Sequence, residues 1–249
     1  MQNQAPQPPQ LPRPSRFAFE PMPAGKSPLL IIEALLKFPG RIIYELHNNW
    51  RADLSGWLLA LALVGMAAYG VVVGSFSGGA QMWIAPAKLV LGTLFSILIC
   101  LPSLYIFAGL AGIDVRLRTV IGVLFAAVAL SALLLIGFAP VAWIFSQSTD
   151  SIPFMGGLHL ILWLIAIGFG LRLIGAMGRL LAGSAGGQMK LWNLIFILVC
   201  LQMTTTLRPI IGRSDRVLPG EKKFFLTHWF ETLGKSGDSK PSQENKGPN

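Results

Sequence analysis

Apolar residues in this chain gather in long unbroken runs, not in the alternation of a half-buried strand or the single stripe of a soluble helix. Five runs stand out: Leu54 to Gly74, a stretch within Ile84 to Leu110, Val120 to Ile144, Phe154 to Ile174, and Leu191 to Ile211. A helix needs about 20 residues to cross a hydrocarbon core about 30 Å thick, and inside lipid it must satisfy its own backbone groups, so each run predicts a transmembrane α-helix. Short polar links join them: Ser75 to Ala80, the stretch around Asp114, Arg116 and Arg118, the segment from Ser146 to Pro153, and the Gly-rich basic stretch Arg172 to Lys190. The fold class is therefore all-α, an integral membrane bundle of about five transmembrane helices with amphipathic surface helices before and after it.

The flanks read differently. Residues 1–25 are a Pro/Gln-rich tail expected to be disordered, with no apolar core of the kind a secretory signal needs. Residues 26–50 form an interfacial amphipathic segment. There Ser27 is placed to cap a helix starting at Pro28, and Pro39-Gly40 should divide the segment into two short helices on the membrane surface. The five-helix transmembrane domain occupies 51–212. In the C-terminal tail, 213–249, Leu226, Trp229, Phe230 and Leu233 share one helical face, which predicts a third surface helix over 221–233, ended by Gly234.

Composition agrees with lipid as the solvent: 12% of residues are charged and 53% hydrophobic, against about 25% charged in a soluble domain. The net charge of +9 is spread over termini and links, without a basic patch interleaved with aromatics, so it reads as membrane topology and not as nucleic-acid binding. Lys and Arg crowd the N-terminal flank (Arg13, Arg16, Lys26, Lys37, Arg41, Arg51), the second link and the fourth, which puts the N-terminus in the cytoplasm. Arg208, Arg213, Arg216, Lys222 and Lys223 after the last run pull the other way, since five crossings would leave that tail outside. Lys88, near the mouth of the second run, has a stem long enough to snorkel to the interface.

Candidate chemistry is sparse. No set of residues reads as catalytic, cofactor-binding or metal-ligating, and no cofactor is implied. Cys100 and Cys200 sit in apolar surroundings without a CxxC or Cys/His pattern and read as packing residues. His159, near the start of the fourth run, lacks an HExxH or HxxxH partner and reads as a hydrogen-bonded packing residue. Ser96, Ser103 and Ser131 have no Lys or His beside them in the runs that would make a nucleophile. The most polar intramembrane cluster is Gln202, Thr204, Thr205 and Thr206, helix-helix glue on a bland reading. Arg208 with Arg213 could hold a lipid headgroup or another anion. Gly70 and Gly74 form a GxxxG that allows close helix approach, whether inside the bundle or between copies.

The layout of a polar N-terminus with surface helices followed by five spans resembles the Yip-type membrane proteins and their uncharacterised bacterial relatives. Pro102-Ser103-Leu104-Tyr105-Ile106-Phe107 and Leu207-Arg208-Pro209-Ile210-Ile211-Gly212 carry the resemblance, which covers approximately residues 50–212. It implies no catalytic residues. It implies instead a non-enzymatic role, organising membrane or acting as a subunit or partner of a membrane assembly. The expected partners are the lipid bilayer and a membrane protein or a second copy, with no nucleic acid, and the expected location is a bacterial inner membrane. The alternative is a small permease or transporter subunit with its route between spans broken at Pro102 and Pro140.

Overall fold

The computed structural model describes residues 17–23, 27–49, 51–149, 151–182 and 187–206. Every regular element among them is an α-helix: α1 (Pro28–Lys37), α2 (Pro39–Asn48), α3 (Ala52–Ser77), α4 (Gln81–Leu110), α5 (Leu117–Ser148), α6 (Ile152–Ala182) and α7 (Gly187–Thr206). Four of these, α3 to α6, are long and apolar enough to cross a membrane. α7 is shorter and is apolar over Gly187–Gln202. The C-terminal tail, its 221–233 segment included, and most of the N-terminal tail lie outside the described residues.

The long helices extend past the apolar runs. α5 has 32 residues, or about 48 Å at 1.5 Å per residue, well over the thickness of a hydrocarbon core. α6 continues through Arg172 to Ala182 instead of ending near Ile174, because Leu, Ala, Met and Arg in this stretch are good helix formers and outweigh its two glycines. The turn between α3 and α4 uses Gly78 at φ +65° and Gly79 at φ +57°, a backbone region that costs other residues a Cβ clash.

α5 lies at the centre, packed most extensively against α3 on one side and α6 on the other; α4 covers the far side of α3, and α7 packs on α4. These contacts are made backbone to backbone. A Cβ on Gly70 would stand 2.5 Å from Pro86 Cα, and one on Gly74 would stand 2.5 Å from the Gln81 carbonyl oxygen. The GxxxG pair is therefore an internal seam between α3 and α4. Gly170 of α6 meets α5 in the same way, with a Cβ position 2.6 Å from the Ala127 carbonyl oxygen.

Large apolar side chains point outward, among them Val64, Leu98, Ile106 and Ile144, a surface that fits lipid and not water. Exposed Trp83 and Tyr105 mark two levels on α4 separated by about 33 Å of helix, close to the spacing of the aromatic belts at the two interfaces. Arg51, Arg116, Arg118, Arg172, Arg179 and Lys190 all fall at the end where α3, α5 and α7 begin.

At that basic end the N-terminal segment closes the bundle. Pro39 has no N–H and disfavours helical geometry at Phe38, which adopts φ −132° and ψ 58° and separates α1 from α2. Ser27 stands at the start of α1 as expected, but its hydroxyl makes no cap; Leu30 N–H donates to its carbonyl oxygen instead at 3.0 Å. The apolar face of α2, expected to lie on the membrane, is turned inward onto α5 and α6: Ile42, Ile43 and Leu46 are fully buried. Leu46 fills the space that Gly122 leaves open, and Thr119 Oγ1 donates to the Leu46 carbonyl oxygen at 3.1 Å. Residues 17–23 strap across α2, with Met22 N–H donating to Glu45 Oε1 at 3.0 Å and the Arg179 guanidinium 5.9 Å over the Phe17 ring.

Two substitutions test this architecture. Gly70→Val should lower stability by about 1–3 kcal/mol through overpacking, read as a lower thermal midpoint in mild detergent, whereas Gly137→Val, where nothing lies within 4 Å, should spare the packing. Glu45→Ala should release the strap: loss of a hydrogen bond to a charged group, about 1.5–3 kcal/mol, should accelerate exchange of the Met22 amide about tenfold or more.

Candidate functional site

α6 packs on α5 and α7 on α4, and the two scarcely touch each other. The space left between them is a cavity of about 60 Å³. Its walls are mostly apolar, contributed by Met66, Leu89, Ile97, Trp163, Ile167 and Phe196 among others. Its polar residues include Lys88, Thr93, Ser96 and Ser131, and no Asp or Glu lines it among the described residues.

Lys88 is the unexpected member. Its side chain is fully buried and does not snorkel to the interface. The tight α3–α4 seam just beyond it, at Gly70, Gly74, Gln81 and Pro86, places this face of α4 inside the bundle. Lys88 stands five residues past the exposed Trp83, or about 8 Å deeper along the helix. An ionisable side chain buried within a spanning helix is costly and marks a functional position by default. Thr93 and Ser131 turn their hydroxyls onto their own helices, donating to the Leu89 and Ala127 carbonyl oxygens at 2.8 Å and 3.0 Å. Ser96 is buried at the same face.

One helical turn from the cavity, towards the same end, lies a second polar pair. Tyr69 of α3 and His159 of α6 are both buried, with the Tyr69 hydroxyl 2.8 Å from His159 Nδ1 and the rings in edge contact at 5.6 Å. His159 is thus the hydrogen-bonded packing residue that its position suggests. Its Nε2 is buried with no hydrogen-bond partner among the described residues. Towards the basic end, Trp192 Nε1–H of α7 donates to Ser103 Oγ at 3.1 Å while Ser103 donates to the Cys100 carbonyl oxygen at 2.8 Å, which clips α7 onto α4. Cys100 and Cys200 are buried free thiols, one on each of these two helices.

The positions singled out in the sequence do not converge here. Gln202 is half-buried, and the antiparallel register set by Trp192 and Ser103 brings it about level with Thr93. Thr204, Thr205 and Thr206 close α7, but their side chains lie outside the described residues, as do Arg208 and Arg213. Sequence reading took Lys88 for an interfacial residue and missed Thr93 and Tyr69. A signal was present: Gln81, Ala85, Lys88, Gly92, Ser96 and Cys100 recur every three or four residues and form the buried face of α4, a polar and small stripe in a helix whose other faces are large and apolar. No group of three or more His, Cys, Asp or Glu residues that could hold a metal ion occurs among the described residues.

Tyr69→Phe should remove one cross-helix bond, and cross-helix bonds in membrane bundles are worth about 0.6 kcal/mol on average. A modest drop in thermal midpoint is expected, and Tyr69→Phe combined with His159→Phe should destabilise by less than the sum of the single changes if the pair acts as a unit.

No protein-family model matches the chain, nor does any curated protein or solved structure.

Proposed function

We propose that this chain is a non-enzymatic integral membrane scaffold with about five spans. It organises lipid or serves as a subunit of a membrane assembly, with its N-terminus in the cytoplasm of a bacterial cell, in the manner that the Yip-type layout implies. One observation carries the reading. α4 and α5 run unbroken past Pro86, Pro102 and Pro140, so the broken, carbonyl-exposing helices that line transport routes are missing where the sequence invited them, among the described residues. The α2 cap over the basic end and the glycine seams between helices support the same reading. The basic residues gathered at the capped end support a cytoplasmic N-terminus.

A second reading, a small permease or transporter subunit, is favoured by the buried Lys88 in the cavity wall. The two separate cleanly in experiment. The full chain should be extracted from its own membrane in mild detergent and its co-purifying proteins and lipids identified by mass spectrometry. Deletions of residues 1–16 and 213–249, which spare every helix described, serve as controls. The scaffold reading expects a stoichiometric membrane-protein partner or a defined lipid complement that depends on one of these tails. Solute flux by the pure protein in liposomes, with no such partner, would replace it with the permease reading.

A further inference from the structure

We propose that the groove between α1 and α3, at the basic end of the bundle, is a binding site for one acyl chain of a membrane phospholipid. The inference deepens the lipid-organising side of the scaffold reading and rests with it on the bundle's lying in a membrane.

Two helix faces make the groove. Trp57, Ala60, Leu61 and Val64 of α3 stand at i, i+3, i+4 and i+7, and Pro28, Ile31 and Ile32 of α1 at i, i+3 and i+4, so each set lies along one side of its helix. α1 packs chiefly on α2 and touches α3 only lightly, which leaves a slot between them. Every residue lining it is apolar. α1 is itself apolar on more than one side. Ile31, Ala34 and Leu35 are buried against the bundle while Leu29 is 74% exposed, and its two charged residues, Glu33 and Lys37, pair with each other at 3.0 Å. A helix of this kind beside a spanning helix faces hydrocarbon and not water.

Size and level select the occupant. The groove holds about 190 Å³, and at about 10–15 Å³ for each water-sized group that is room for about a dozen methylenes. Spread over the roughly 10 Å of α3 from Trp57 to Val64, this is a slot narrower than the 10–12 Å of a helix with its side chains. A single hydrocarbon chain therefore enters it, and a helix of a second copy does not. Trp57 lies about 9 Å along the helix from Arg51, and its half-exposed ring stands where indoles mark the interface. A lipid whose phosphate is level with Arg51 lays its chain down the groove from Trp57 towards Val64. Arg51 is one of the basic residues gathered at this end, and Asp53 takes two of its five N–H groups, so charge favours an anionic headgroup above the slot.

The full chain is reconstituted into vesicles of phosphatidylethanolamine and phosphatidylglycerol that contain a phosphatidylglycerol with a photoreactive diazirine in one acyl chain. It is then extracted in a mild non-ionic detergent, washed until bulk lipid is gone, irradiated and digested, and labelled positions are located by mass spectrometry. Retained lipid should label residues 27–37 and 57–64 at least about tenfold more than the exposed α4 face at Leu98, Ile99 and Ile106, the ratio that about 1.4 kcal/mol of preference produces. Ala60→Phe, which fills the slot from an exposed position, should bring that labelling down to the α4 level. Val71→Phe, elsewhere on the exposed surface of α3, should leave it unchanged. Even labelling of the two regions in wild type, or no retained lipid, overturns the proposal, and this comparison needs no variant that folds. Groove labelling that survives Ala60→Phe overturns it as well. A tail-dependent partner found together with even labelling would sink the groove site and leave the scaffold reading standing, whereas groove labelling with solute flux and no partner would do the reverse.

Discussion

Inside lipid the hydrophobic effect no longer draws helices together, since acyl chains are as apolar as leucine, and a bundle depends on how closely its backbones can approach. This constraint shapes α5. Its faces towards α3 and α6 carry Ala126, Ala127, Ala129, Ala132 and Ser131, all buried, and Gly65 and Gly170 meet it from either side. Small residues on both partners let dispersion contacts and weak backbone contacts accumulate over the whole length of the seam. The α3–α4 seam at Gly70 and Gly74 works in the same way. The position of every other element follows from these contacts, including the gap that becomes the cavity, because α6 and α7 have no comparable seam between them.

Polar side chains set the register of the seams. Tyr69 with His159, Ser103 with Trp192, and Thr119 with the Leu46 carbonyl each join segments far apart in the chain. A hydrogen bond in hydrocarbon contributes modestly, but an unmet buried polar group is costly, so each pair penalises sliding of one helix along another. Lys88 belongs to the same physics with a different consequence. Its side chain is fully buried in the cavity wall instead of reaching the surface.

The N-terminal helices show how amphipathicity can be used twice. A helix such as α2 could lie on a bilayer, yet its apolar face seals the end of the bundle while Arg41 engages Glu20 at 3.3 Å and sits 4.6 Å over the Phe38 ring on the polar side. The strap of residues 17–23, held by Glu45 and Arg179, ties the start of the chain to the end of α6. This closed basic end makes the molecule asymmetric along its length, while the small cavity lies near the middle of the bundle.

The amino-acid sequence by itself determined the helical class, the positions of the four long helices, three of them to within a few residues at each end, and the break at Pro39, because run length and proline geometry act locally. It carried the GxxxG motif but not its partner, which only the packing of α3 on α4 identified as internal. It also carried the stripe Lys88, Gly92, Ser96 on α4, yet whether a lysine two turns inside a helix reaches outward or inward depends on what covers that face. The tertiary structure decided this, as it decided that α2 faces the bundle, that Tyr69 meets His159, and that a cavity lies beside Ser131. Such facts arise between residues distant in sequence, where no local propensity operates and only the mutual fit of helix surfaces chooses the neighbour.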